Sequence, residues 1–306
     1  MNYVAFEKPL SLNELEEYFS KCDEEFESIL RSVADNNCKI LGISDGRFPV
    51  EATVCFVEDS DEVDVIENVV YITSTKIPSS INLLTDDPRS LFIKFLVITQ
   101  KEKLLRAQPQ SDLVDLIHDD CEIHPNATIE KGVVIGVGTV ISSGCVLKSG
   151  TMIGSNCIVR ENTVIGCDGI ALYKNKQQEV LRFPHVSGVM IGDNVEIGAS
   201  VVIIKGTLKP TTIENDIVIG NLCNIGHGAK IANKSWLSVG TLIGGNTTIN
   251  DKSTIGMGVR VRDNLIIGHN ASIGMGSVVT KNIDEGGSVF GNPAKKIHHL
   301  KTGPTR

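Results

Sequence analysis

Aliphatic residues recur every six positions along this chain. From Ile123 the series runs through Ile129, Ile135, Ile141, Leu147, Ile153, Val159 and Ile165. It resumes at Ile191, Ile197 and Ile203, then again at Ile213, and continues in steps of six to Val279. Twenty-three positions obey it in all. A period of six matches neither the 3.6-residue turn of a helix nor the two-residue alternation of a half-buried strand. Self-similarity at a fixed spacing over this length demands a repeat architecture.

The residue after the aliphatic one is often Gly, as at Gly136, Gly154, Gly192 and Gly226, and the fifth position is small, as at Thr139, Cys145, Thr163 and Ser253. Such a unit makes a short strand and a tight corner. The aliphatic side chain points inward, the small residue fits near the corner, and Gly relaxes the turn. Three units close one triangular coil, and coils stack by parallel hydrogen bonding about 4.8 Å apart, so nearly eight coils make a prism roughly 37 Å long. This pattern resembles the left-handed parallel β-helix of the hexapeptide-repeat acyltransferases. The left hand is what the resemblance implies.

The chain has 306 residues, enough for two domains, and a net charge of −8, which argues against a nucleic-acid surface. No run of eighteen apolar residues exists, and the opening MNYVAFEKPL lacks a basic-then-apolar signal. The expectation is a soluble, cytoplasmic protein with no membrane span. Cys145, Cys157 and Cys223 occupy the small corner slot and Cys121 keeps the phase, as buried thiols do in a reducing compartment. No CxxC pair occurs, so no metal site is expected.

The period is absent from residues 1–105. There Ser11 and Glu14 form a capping-box pair ahead of Leu12, Leu15 and Phe19. A second helix is expected over Glu24–Val33, strands over Ala52–Val57 and Val69–Thr73, and a helix from Pro88 through Leu91, Phe92 and Phe95. The sequence therefore predicts a mainly β protein. A small α/β domain (1–105) leads through a connector (106–120) to the β-helix (121–288). A tail (289–306) follows.

The two breaks in the period carry the functional reading. Ile165 to Ile191 holds twenty extra residues and Ile203 to Ile213 holds four, giving loops at 166–190 and 204–212. Loops expelled from a stacked repeat are common binding elements. If neither loop skips a face, Ile165, Ile203 and Ile225 lie one above another. The residues two places on then form an outward column: Cys167, Lys205, His227, Gly245, Asp263 and Lys281. His227 stands one coil from Lys205 and beside Gly245, which suggests a slot next to a histidine, walled by a mobile loop. A neutral imidazole accepts a proton near neutral pH, and a neighbouring Lys205 disfavours its charged form. An exposed histidine on a solenoid face is the competing reading.

The segments RFPHVSGVMIGDNVEIGASVVI and IENDIVIGNLCNIGHGAKI resemble the UDP-3-O-acylglucosamine N-acyltransferases of lipid A synthesis. That family carries a proline-containing loop before IGDxVEIGA and a catalytic histidine in an I-x-H motif two coils later. On this chain the resemblance implies His227 as general base. It also implies an amino-terminal domain that helps hold a uridine nucleotide, with DDPRSLF at 86–92 as a stretch of it. The family's Asp-Arg-Gly is here Ile204, Lys205 and Gly206, and Gly228 replaces the Asn that follows the catalytic histidine. The family's carboxy-terminal helices, which engage acyl carrier protein, are missing. The ending GMGSVVTKNIDEGGSVFGNPAKKI instead resembles acetyl-CoA-dependent hexapeptide enzymes acting on nucleotide-linked amino sugars. That likeness implies Gly256, Gly274, Lys281 and Asn292 on the coenzyme side, with Gly245 beside the histidine added to them.

Asn221 and Asn224 flank the His227 strand, either to orient the base and bind sugar hydroxyls or simply to serve the corners. Lys205, Glu196, His185 and Tyr173 complete the substrate-side candidates, Glu196 on the resemblance alone. His185 and Tyr173 lie on the long loop, where packing is the competing role, as it is for Phe183. A zinc-dependent prism of the carbonic-anhydrase kind needs histidines clustered across adjacent coils, and His227 has no such neighbour in sequence.

The expected reaction is transfer of an acyl group, chiefly acetyl, from acyl-CoA (acetyl-CoA) to the amine of a nucleotide-diphosphate amino sugar. It needs no permanently bound cofactor, and the expected enzyme is a homotrimer with clefts between prisms. The alternatives are the lipid A enzyme using acyl carrier protein and a non-catalytic sugar-binding solenoid.

Overall fold

The computed structural model describes residues 3–19, 29, 33, 38–58, 65–105 and 117–297. The expected helix over Glu24–Val33 lies outside these apart from Ile29 and Val33, as does most of the connector. The chain divides into two compact units. One comprises residues 1–108, 170–186 and 207–209, and the other comprises 109–169, 187–206 and 210–306.

The first unit is a five-stranded sheet with helices. Strands β1 (Tyr3–Ser11), β2 (Lys39–Ser44), β3 (Thr53–Val57), β4 (Val70–Thr73) and β5 (Ile81–Leu84) lie in sequence order. β1 and β2 are antiparallel, and the rest are parallel. Helix α1 (Leu12–Phe19) opens with the predicted reciprocal cap. The Glu14 N–H donates to Ser11 Oγ (3.2 Å), and the Ser11 N–H donates to Glu14 Oε2 (2.8 Å). That backbone bond, with help from Lys8, holds the Glu14 carboxyl below its usual range. Helix α2 (Pro88–Lys101) starts on Pro88, with Asp87 Oδ1 accepting the Ser90 N–H at 3.1 Å. Phe19, Phe92 and Phe95 are fully buried between sheet and helices, with Phe19 and Phe95 stacked at 5.1 Å. The strands at 53–57 and 70–73 fall where their branched residues predict. β1, β2 and β5 escape sequence reading, because Pro9, Gly42 and Asn82 interrupt their apolar runs.

The second unit is the prism, a parallel β-solenoid with three faces. The first face stacks the strands that carry Ile129, Leu147, Ile165, Ile203, Ile225, Ile243, Val261 and Val279. The second stacks Ile135, Ile153, Ile191, Ile213, Ile231, Ile249 and Ile267, and the third runs from Ile123 to Val289. The series extends past its legible ends: Ile117 bridges to Ile135, and Ile283 bridges to Ile267. All these inward chains join one core, each buried Ile contributing about 1.5–3 kcal/mol relative to exposure. Corner hydroxyls and thiols donate to the coil above: Thr163 Oγ1 to Gly198 O at 2.7 Å, and Cys145 Sγ to Arg160 O at 3.1 Å. That bond explains why Ser, Thr and Cys share the slot.

The glycine expectation needs one correction. The turn residue with left-handed backbone is the fourth of each unit, for example Asn156 (φ 55°) and Asn194 (φ 56°), where Asn tolerates that region. The second-position glycine serves close stacking instead: a β-carbon on Gly154 would stand 2.6 Å from the Gly192 carbonyl carbon.

Candidate functional site

Neither insertion skips a face. Ile165 pairs with Ile203, and Ile203 with Ile225. Both insertions therefore leave the edge between the first and second faces, where His227 occupies the corner turn. The expected column is out of step at its base. Gly166 (φ 86°) makes a bulge, so Cys167 lies opposite Ile204 rather than Lys205. The Lys205 N–H still reaches Cys167 O at 3.0 Å.

His227 is half-buried. The space beside it is not the open slot the sequence suggests. A β-carbon on Gly245 would lie 2.5 Å from His227 Nε2 and 2.6 Å from Cε1, so the imidazole itself fills the space Gly245 leaves. Gly228 carries the turn with φ 63°, and its N–H donates to Thr211 Oγ1 at 2.8 Å. The same buried hydroxyl donates to Ile204 O at 2.6 Å. Thr211 thus ties the turn holding His227 to the strand end holding Lys205, a role no sequence pattern signalled.

Lys205 Nζ lies 2.7 Å from Asp168 Oδ1, and below it on the same edge Lys148 is paired with Glu130. The sequence reading left Lys205 an uncompensated cation; the structure gives it a carboxylate from the mouth of the long insertion. Such a half-exposed pair contributes about 0–1 kcal/mol to stability, so its interest is positional.

The remaining candidates scatter over the prism. Asn221 sits on the edge between the third and first faces, and its Oδ1 accepts the Ala199 N–H at 2.8 Å. It serves the corner through its side chain, while Leu222 takes the left-handed backbone (φ 59°). Asn224 lies on the first face between these two edges, half-buried. Glu196 is on the third face, hydrogen-bonded to Arg160 Nε at 3.0 Å. Gly256 and Gly274 are stacked on the edge between the third and first faces. A β-carbon on Gly256 would meet the Met275 backbone N at 2.6 Å, and one on Gly274 would meet the Phe290 ring, so both absences have an internal cause. Lys281 and Asn292 are exposed at the carboxy-terminal end.

Three other glycines have no such cause. Gly240, Gly258 and Gly276 (φ 70°, 65° and 69°) occupy the fourth position on that edge, with nothing within 4 Å of a built β-carbon. The same position between the second and third faces carries Asp216, Lys234, Lys252 and Asn270 in the same conformation. Glycine is therefore not required by the turn, and it keeps this edge bare beside exposed Val239, Met257 and Met275.

The long insertion is ordered within the first unit. Residues 172–174 and 180–182 form an antiparallel hairpin. The Tyr173 hydroxyl donates to Asp87 Oδ1 at 2.9 Å, and the Arg89 guanidinium lies 5.1 Å from its ring. Burial and the Asp87 carboxylate raise the Tyr173 hydroxyl above its ordinary pKa. Phe183 packs between Phe56 and Phe92, and His185 is 2% exposed, with its carbonyl near Gln100 Nε2 (3.5 Å). Tyr173, Phe183 and His185 all serve packing in this unit.

The same unit presents one group that sequence reading passed over. The turn at Asp45–Phe48 closes on Gly46 and displays Phe48, 66% exposed. Arg47 holds Asp45 through Nε at 3.0 Å and Nη2 at 2.6 Å. Burial pushes the Asp45 carboxyl up, but the Arg47 bonds and the Lys209 charge outweigh it, and the net shift is downward. Burial and Arg47 push the Lys209 ammonium down.

Comparison with known proteins agrees with the repeat. Residues 116–149 match the family model described as bacterial transferase hexapeptide (six repeats). The chain is 53% identical over 128 residues to UDP-3-O-acylglucosamine N-acyltransferase 2 of Legionella pneumophila, covering 40% of this chain and 37% of that protein. It is 33% identical over 136 residues to the probable UDP-3-O-acylglucosamine N-acyltransferase 2, mitochondrial, of Arabidopsis thaliana, covering 44% and 45%. Among solved structures, the UDP-N-acetylglucosamine acyltransferase from Campylobacter jejuni aligns with a TM-score of 0.49 and 23% identity, over 59% of this chain and 73% of that one. The matched segments span less than half the length of these two sequence relatives.

Proposed function

We propose that this chain is an N-acyltransferase that moves an acyl group from a thioester to the amine of a nucleotide-linked amino sugar. The observation that carries the reading is His227, fixed against Gly245 on the edge from which both insertions leave. The relatives' names supply the chemical class: both are N-acyltransferases of a UDP-linked, 3-O-acylated glucosamine.

In this mechanism the neutral amine attacks the thioester carbonyl while His227 accepts its proton. The C–N bond forms, the C–S bond breaks, and the thiolate leaves with the proton returned by the imidazolium. General base action of this kind contributes about 10²- to 10⁴-fold. Lys205, neutralised by Asp168, limits repulsion of an incoming ammonium. The nucleotide is assigned to the first unit, where the exposed Phe48 offers a face for a base. The donor's extended arm is assigned to the edge of Gly240, Gly258 and Gly276, where nothing obstructs close approach to backbone. The other wall of each cleft would come from a second copy in a trimer.

Coenzyme A is the donor in the first reading. The relatives' names favour a second reading, in which the acceptor already bears a 3-O-acyl chain and the donor is acyl carrier protein. A thioester-release assay over UDP-, dTDP- and GDP-amino sugars, with short acyl-CoAs and acyl carrier protein thioesters, separates the two. His227→Ala should lower kcat by about 10²-fold or more while leaving assembly intact. Full turnover in that variant removes the base assignment. No turnover with any pair favours a sugar-binding solenoid.

A further inference from the structure

We infer that the outward face of the hairpin at residues 172–182 docks this chain on an anionic lipid surface. The hairpin pairs Leu172 with Arg182, Tyr173 with Leu181, and Lys174 with Val180. Side chains alternate between the faces of a strand. Tyr173 turns inward to Asp87 and Arg89, so Leu172, Lys174, Val180 and Arg182 share the other face. The cross-strand pairs make that face a checkerboard of two aliphatic and two cationic side chains.

The aliphatic members are held in water. Leu172 is 62% exposed, Val180 is 64%, and Ile170, just before the hairpin, is 76%. A single exposed aliphatic residue is ordinary; here two share one face of the hairpin and a third precedes it. The charge points to the partner. The chain carries −8 overall, yet residues 170–182 contain Lys174, Lys176 and Arg182 against Glu179 alone. Three cations against the one carboxylate leave the segment a net +2. Glu58 beside it is neutralised by Arg89.

Area decides between a lipid and a protein. Two strands of three residues present a face on the order of 100 Å². A specific protein interface needs about 800 Å² from each partner. A lipid surface needs no matching shape: aliphatic side chains enter the headgroup boundary while Lys and Arg stems extend to the phosphates. The docking does not rest on the reaction proposed above, since a chain without transferase activity would still bind.

The test is co-sedimentation of the full chain with vesicles of phosphatidylcholine alone and of phosphatidylcholine mixed with phosphatidylglycerol, at low and high salt. Two double variants run beside it, Leu172→Ser with Val180→Ser and Lys174→Glu with Lys176→Glu. Binding should need phosphatidylglycerol, reverse with salt, and weaken about tenfold or more in each variant, with thermal melting unchanged. Absence of binding, equal binding to neutral vesicles, or undiminished binding by both variants overturns the proposal. So does capture of an acidic acyl carrier protein that these variants abolish while vesicles go unbound.

Discussion

The imidazole of His227 occupies the volume that a side chain on Gly245 would need, with Nε2 2.5 Å from the position of the missing β-carbon. The base candidate is therefore held by the absence of a side chain one coil away. Gly245→Ala must displace the ring. The expected result is a fall in kcat of about 10²-fold, with a stability loss of about 1–3 kcal/mol from overpacking. Steady-state kinetics beside thermal melting check both, and unchanged turnover would show that the ring position does not matter.

Lys205 and Asp168 should act on the pH profile rather than on stability. Asp168→Asn leaves the Lys205 cation uncompensated near His227, which disfavours imidazolium, so the acid limb of kcat/KM should move to lower pH. Lys205→Met leaves the carboxylate and should move that limb to higher pH. Each variant should unfold within about 1 kcal/mol of the parent. Opposite shifts support the pairing, and identical profiles refute it.

Thr211→Val removes the hydroxyl that joins Gly228 N–H to Ile204 O and leaves both groups buried without it. The expected cost is about 1–3 kcal/mol. Because the same bond orients the turn that carries His227, kcat should fall at temperatures where the protein remains folded. Thr211→Ser should restore most of both.

Thiol labelling reads the two cores. Burial pushes the Cys55 thiol up to about 12, and it also raises Cys145, Cys157 and Cys223. Thiolate is the reactive form, so at pH 9 Cys55 holds only about one part in a thousand of it. Among the described cysteines a maleimide should modify the half-buried Cys38, Cys121 and Cys167 before the buried ones, and raising the pH from 7 to 9 should not bring in Cys55. Because the raised value belongs to the folded state, its penalty is absent below the unfolded thiol pKa and grows as pH rises past it. Rapid native modification of Cys55 would contradict the burial.

Much of the prism was legible. A repeated inward Ile can satisfy only one architecture, and counting units across both insertions gave the stacking of Ile165, Ile203 and Ile225. The bulge at Gly166 was not legible, because one extra residue beside a twenty-residue insertion leaves no trace in the period. In the first unit, Ser11 with Glu14 and Pro88 announced their helices through local chemistry. The Asp45–Phe48 turn and the hairpin did not announce themselves, since their roles depend on residues 86 to 164 positions away, among them Phe56, Asp87 and Lys209.

By itself the sequence determined a six-residue repeat, three faces, and an edge shared by Lys205, His227 and Gly245. Those follow from periodicity, which every coil enforces on the next through parallel hydrogen bonding. Only the tertiary structure decided that His227 fills the space over Gly245, that Asp168 answers Lys205, and that Thr211 ties their two turns together. Rotamers, ion pairs and bridging hydroxyls are set by what stands beside them in space, 7 to 37 residues along the chain, and no local pattern encodes them.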